Sequence, residues 1–95
     1  MDNNAVRLYA RNSRVAWRII DGAAVIVTPD DGMVHRLNET GTWLWGEISE
    51  PLSAEQLASR MTAEFEVDAD TALADVCEFL AALANRGIIT TEAGR

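Results

Sequence analysis

Apolar residues follow a two-residue period in the first third of the chain and a helical period in the remainder. Residues 15–20, VAWRII, are β-branched and aromatic, the composition that strands favour. Asp21-Gly22 follows, and then a second run of the same kind, AAVIVT, at residues 23–28. An Asp-Gly pair between two such runs predicts a tight hairpin, because both turn positions need positive φ. PDDG at residues 29–32 predicts a second turn, and MVHRL at residues 33–37 a third strand. The expectation is an antiparallel three-stranded meander.

The turns also set a register. A two-residue loop places Ile20 opposite Ala23 and Trp17 opposite Ile26, and a four-residue loop places Thr28 opposite Met33 and Ile26 opposite His35. One face then carries Trp17, Ile19, Ala24, Ile26, His35 and Leu37, and is the expected core face. The other carries Arg18, Val25, Val27, Val34 and Arg36.

Three helices are expected next. Asn38 is a good N-cap, Glu39 suits the first turn, and Leu44, Trp45 and Ile48 fall at helical spacing. Ser53 with Gln56 makes the capping-box pattern ahead of Leu57, Ala58, Met61 and Phe65. Asp68 or Asp70 caps a third helix, whose stripe is Leu73, Val76, Leu80 and Leu83 with Phe79 beside it. Gly87 stops that helix, and IIT at residues 88–90 allows a short closing strand or an apolar flap. The expected fold class is α+β and winged-helix-like, a three-stranded antiparallel meander followed by three α-helices. Residues 1–14 are expected to be a flexible segment, 15–90 the domain, and 91–95 a tail.

The composition fits this. Ninety-five residues make one small domain. No apolar run approaches the ~20 residues needed to span a bilayer. The N-terminus carries no apolar segment of the secretory kind. Cys77 is the single cysteine, so no internal disulfide forms, and a cytoplasmic setting is the simplest expectation. Residues 1–38 carry a net charge of +1 and residues 39–95 a net −8, with no lysine anywhere. Such a chain is repelled by nucleic acid and by anionic lipid unless a basic patch overrides the balance.

Catalytic chemistry is not visible. A nucleophile needs a neighbouring base, and the chain offers one His, His35, and one Cys, Cys77, in unrelated segments. One imidazole and one thiol make no metal cluster, the acids of residues 68–70 suit a cap better than a calcium loop, and the glycines form no phosphate cradle. No catalytic residue, metal or cofactor is expected. Trp17 and Trp45 read as core. Trp43 falls off the Leu44–Trp45–Ile48 stripe and is a binding-surface candidate. His35 reads as a hydrogen-bonded sheet residue, Cys77 as a small buried apolar one, and Asp75 and Glu78 as the solvated face of the third helix.

Taken in order, WRIIDGAAVIV, Leu37-Asn38, TGTWLWGEI, SAEQLASRM and VCEFLAALANRGII resemble the PqqD family of small peptide chaperones. The most specific element is Leu37, Asn38, Gly41, Leu44, Trp45 and Ile48, and the resemblance covers roughly residues 15–90. It implies a precursor-peptide recognition element for ribosomally made, post-translationally modified peptides. Such a domain binds a leader segment and presents it to a modifying enzyme, often a radical SAM protein. In the family the leader adds as a strand beside the third strand and packs against the third helix. Carried over, that implies Met33, Val34, His35, Arg36 and Leu37 on the strand, and Val76, Phe79, Leu80 and Leu83 on the helix. The family often has an aromatic residue before the Leu-Asn pair, where this chain has MVHR. That departure bears on which leader is recognised.

The residues lend this reading separate support. A meander has two open edges, and an edge with neither Pro nor Lys as a guard invites another strand. Arg18 and Arg36, flanking Val25, are candidates for charge-assisted contacts with acidic leader residues, with Arg14 close by. Two rivals stand beside it. A winged-helix DNA-binding regulator would need a basic recognition helix, and the second and third helices offer only Arg60 and Arg86. A protein–protein adaptor would dock through Trp43 and the acidic helices.

Overall fold

In the computed structural model, which describes residues 6–93, Asp21 and Gly22 turn the chain with φ of 53° and 81°. That turn joins β2 (Ala16–Ile20) to β3 (Ala23–Val27). Ile20 pairs with Ala23 and Trp17 with Ile26, the register expected of a two-residue loop. The second turn ends at Gly32, at φ 68°, and leads to β4 (Val34–Arg36). Ile26 pairs there with His35, and Thr28 N–H donates to Met33 O at 3.0 Å. The order in this sheet is β2-β3-β4, so β2 and β4 are its edges.

Each helix begins on the cap the sequence suggests. Asn38 accepts from Gly41 N–H at 2.7 Å and opens α1 (Glu39–Glu47). Ser53 and Gln56 close a full capping box on α2 (Ala54–Glu64). Asp68, rather than Asp70, accepts from Thr71 N–H at 2.7 Å and opens α3 (Ala69–Asn85), which stops before Gly87 at φ 74°.

The chain ends depart from expectation. Arg7–Arg11, placed within a flexible segment by the sequence reading, form β1. The short closing strand that residues 88–90 allowed is present, but it runs on through the expected tail as β5, Ile89–Ala93. The two pair antiparallel, Arg7 with Ala93 through Arg11 with Ile89, as a second sheet of two strands. Tyr9 also exchanges main-chain bonds with Leu52, at 2.7 and 3.1 Å, tying β1 to the segment before α2. Residues 1–5 and 94–95 lie outside the described residues.

The core gathers under β3. Ala24 and Ile26 are fully buried with Leu44, Trp45, Ile48, Leu57, Val76, Leu80 and Ile88. Ala24 N–H donates to Thr42 Oγ1 at 3.0 Å, which pins β3 onto α1. The expected core face fades toward β2, because that strand lies outside the layer of helices. Trp17 and Ile19 are 41% and 51% exposed, correcting the expectation that both are core. Trp17 meets Trp45 edge-on with centroids 5.7 Å apart. Arg11 is stacked on both rings, 4.6 Å from the Trp17 centroid and 4.9 Å from that of Trp45.

Candidate functional site: an open strand edge beside an acid-rimmed cleft

Hydrogen-bond alternation decides which main-chain groups of β4 are free. Leu37 N–H donates to Ala24 O at 2.9 Å, and Met33 O accepts from Thr28 N–H. In an antiparallel pair the bonding residues recur every second position, so Met33, His35 and Leu37 turn their peptide groups to β3. Val34 and Arg36 turn theirs outward, to an edge with no neighbouring strand among the described residues. Val34 and Met33, 64% and 54% exposed, are the most exposed large apolar residues described. A free edge carrying uncovered apolar side chains is the arrangement that sheet proteins ordinarily guard against.

The side chains of β4 divide as the pleat requires. His35 and Leu37 lie half-buried on the core side, and Val34 and Arg36 are exposed. Arg18, Val25 and Arg36 line up across the three strands on the outer face, as the register expectation had it. Neither arginine is in an ion pair among the described residues; the cation so engaged is Arg60, 3.1 Å from Glu47 and 3.5 Å from Glu50. His35 departs from its reading as a hydrogen-bonded residue, since its Nε2 is buried without a partner.

Past Leu37 the chain enters α1 and forms, with α3, a cleft of about 370 Å³. Asn38, Gly41 and Leu44 line one wall, Met61 the floor, and Phe79 and Leu83 the other wall. Gly41 leaves little room there for a side chain. A Cβ at that position would lie 3.1 Å from Asn38 Oδ1 and 3.4 Å from both Leu37 Cβ and Phe79 Cε1. Asp75 and Glu78 stand at the rim, exposed.

The four helix residues carried over from the resemblance therefore separate. Phe79 and Leu83 line the cleft, whereas Val76 and Leu80 are buried core, at 0% and 1% exposure. Sequence reasoning did not single out Gly41, Leu44 and Met61 as lining residues, and it read Asp75 and Glu78 as a solvated face only. Their i, i+3 spacing along one helix face, next to Phe79, was the available signal. Cys77, expected to be buried, is exposed on the same helix. Trp43 is half-buried, as its place off the Leu44–Trp45–Ile48 stripe suggests, and packs edge-on against Phe65, centroids 5.1 Å apart. No described helix is long and apolar enough to cross a membrane.

Three solved structures share this fold. TbiB1, in complex with the TbiA(β) leader peptide, is 28% identical, with a TM-score of 0.78 over 84% of this chain and 93% of TbiB1. A lasso peptide synthetase B1 complexed with its leader peptide is 20% identical, with a TM-score of 0.77 over 86% of this chain and 96% of that one. The PqqD truncation of Methylobacterium extorquens PqqCD, a stand-alone recognition element for ribosomally synthesized and post-translationally modified peptides, is 16% identical. Its TM-score is 0.72, over 87% of this chain and 88% of that one. No curated protein matches the chain in sequence. The family model described as Coenzyme PQQ synthesis protein D (PqqD) matches residues 23–89, from the second hairpin strand through α3 to the start of β5, and the chain belongs to that family.

Proposed function

We propose that this protein binds the leader segment of a ribosomally made precursor peptide by strand addition to β4 and presents it to a modifying enzyme. The observation that carries the reading is the free β4 edge, with Val34 and Arg36 main-chain groups turned outward next to an apolar cleft. Main-chain bonds from such an edge supply affinity with little sequence demand, and the adjoining pocket supplies selectivity. The two B1 proteins of the same fold are leader-peptide complexes, and the Methylobacterium protein is a recognition element. In this reading the leader contacts Met33 to Leu37, Phe79 and Leu83, while Val76 and Leu80 hold α3 in place beneath it. Arg18 and Arg36 face acidic leader residues. The chain itself makes and breaks no covalent bond. The modifying enzyme, of the radical SAM class in this proposal, does the chemistry.

The DNA-binding alternative finds no support. Arg60, the one cation of α2, is spent on Glu47 and Glu50, and α3 carries Asp70, Asp75 and Glu78 with no basic residue.

The test is an amide NMR titration with the leader half of the small precursor encoded beside the gene. Shifts concentrated at residues 33–37 and around Phe79 and Leu83, at submicromolar to micromolar affinity, are expected. Shifts confined to the surroundings of Trp43, seen only with a partner protein, would favour the adaptor instead.

A further inference from the structure

The rim of the cleft has a charge that its walls do not explain. Asp75 and Glu78 stand three residues apart on α3, beside Phe79, and both line the cleft. No ion pair engages either one among the described residues. No cation lines the cleft, and α3 has no basic residue in its last turn. Like charges at that spacing repel each other, so the apo rim is a site of unrelieved negative potential. Below it the buried side chains of Leu44 and Leu83 on the walls and Met61 on the floor offer an apolar lining. On the far side of β4 the sign reverses, with Arg18 and Arg36 on the outer face.

We infer that the cleft selects a leader carrying an apolar side chain with a Lys or Arg two residues away, the apolar group seated on Phe79 and Leu83 and the cation held by Asp75 and Glu78. This deepens the leader reading and rests on it. Strand geometry fixes the pattern. Alternate residues of an added strand point to the same side, so one set faces α3 and the other faces the Arg36 side. The set toward α3 carries the apolar anchor and the cation, and any acid of the leader falls in the other set. A peptide with the opposite charge placement meets like charge on both sides, a mismatch that excludes wrong partners more strongly than a neutral site would.

The experiment uses the whole protein and three synthetic versions of the leader from the neighbouring precursor. In one the cation nearest the apolar anchor is kept; in the others it is Gln or Glu. Binding is measured by isothermal titration at low and moderate salt. The native peptide is expected to bind about tenfold more tightly than the Gln version and more tightly still than the Glu version, a difference that shrinks with salt. The double variant D75K/E78K, altered only at exposed positions, should reverse the order. Equal affinity of all three peptides, with NMR shifts still present at residues 33–37, would overturn the charge selection and leave leader binding standing. A leader with no cation two residues from its apolar anchor would do the same. Absence of binding and of shifts with every version would remove both readings.

Discussion

The Phe79 ring lies against the backbone of Gly41, so that a methyl group at Gly41 would come within 3.4 Å of Phe79 Cε1. That contact joins the start of α1 to the middle of α3, two walls of the cleft. It also sets two glycines of one helix apart. Ala is favoured over Gly in a helix by about 1 kcal/mol, but overpacking a filled site costs about 1–3 kcal/mol. Gly41→Ala is therefore expected to lower stability by about 1 kcal/mol through crowding of the Asn38 cap and Phe79. Gly46→Ala, where no atom lies within 4 Å, is expected to raise it by up to about 1 kcal/mol. Urea unfolding of both variants checks the pair. A stabilised Gly41→Ala would mean that Phe79 yields freely.

Val34→Pro separates the fold from the proposed binding. Proline removes one N–H, and on an edge strand that loss is tolerated when the N–H points outward. Because β3 bonds to Met33 and Leu37, the N–H of Val34 is not part of the ladder. The variant is expected to melt within a few degrees of the parent yet to lose at least tenfold in leader affinity. Undiminished affinity would place the peptide somewhere other than β4.

His35→Phe is expected to stabilise the free protein. A buried polar atom without a partner costs about 1–3 kcal/mol, and His35 Nε2 is such an atom, on the strand position opposite fully buried Ile26. A gain of about 1 kcal/mol in denaturant unfolding is the expected result. A loss would show that the ring nitrogen finds a partner in solution.

Arg11 is the residue whose loss should be felt on both sheets. Its Nε and Nη2 donate to Trp45 O at 3.1 and 2.7 Å while the guanidinium stacks on two indoles. Burial pulls its pKa below the ordinary arginine value, and it remains charged at neutral pH. Arg11→Met should cost about 2 kcal/mol, from hydrogen bonds to a charged donor together with the ring contacts. Arg11→Lys should recover less than half of that, since an ammonium cannot fork to the carbonyl and stack at once. Near-UV circular dichroism of the tryptophans would report the loosening directly.

Two exposed carboxylates tie stability to acid pH. The Thr71 N–H holds Asp68 below the ordinary 3.8 at the start of α3. The Thr28 hydroxyl, and after it the Met33 N–H, does the same for Asp31 in the turn before β4. A pKa lowered in the folded state favours the fold above the ordinary value and loses that benefit as pH falls through the lowered one. Melting temperature should therefore decline from about pH 4 downward. Asp68→Asn, which keeps a capping oxygen but does not titrate, should flatten that decline. An unchanged slope would show that other acids dominate.

What could be read from the sequence was what neighbouring residues decide. Asp21-Gly22 and the turn at residues 29–32 together set a register three strands wide, and Asn38, Ser53 and Asp68 mark helix starts through bonds to groups three residues on. Strand β1 escaped because its partner is β5, at the other end of the chain, and nothing in RLYAR announces that pairing. Trp17 was misplaced because alternation tells which face a residue shares, not how far the helical layer reaches beneath it. The same limit applies to Asp75 and Glu78. Periodicity puts them off the core stripe, and only the assembled fold brings Gly41 and Phe79 alongside them.

The pairing of Arg7 with Ala93 brings the first and last strands side by side. Arg7 and Ala93 sit one strand spacing apart, so a few linking residues could join the two strands there and new ends could be opened elsewhere, as circular permutation generally requires. Opened within the turn at residues 29–32, such a permutant would begin with β4 itself, held to β3 by its ladder bonds and no longer by a loop. The strand proposed to receive the peptide would then be free to fray, and the affinity lost relative to the parent would measure how much of recognition depends on presenting that edge already in place.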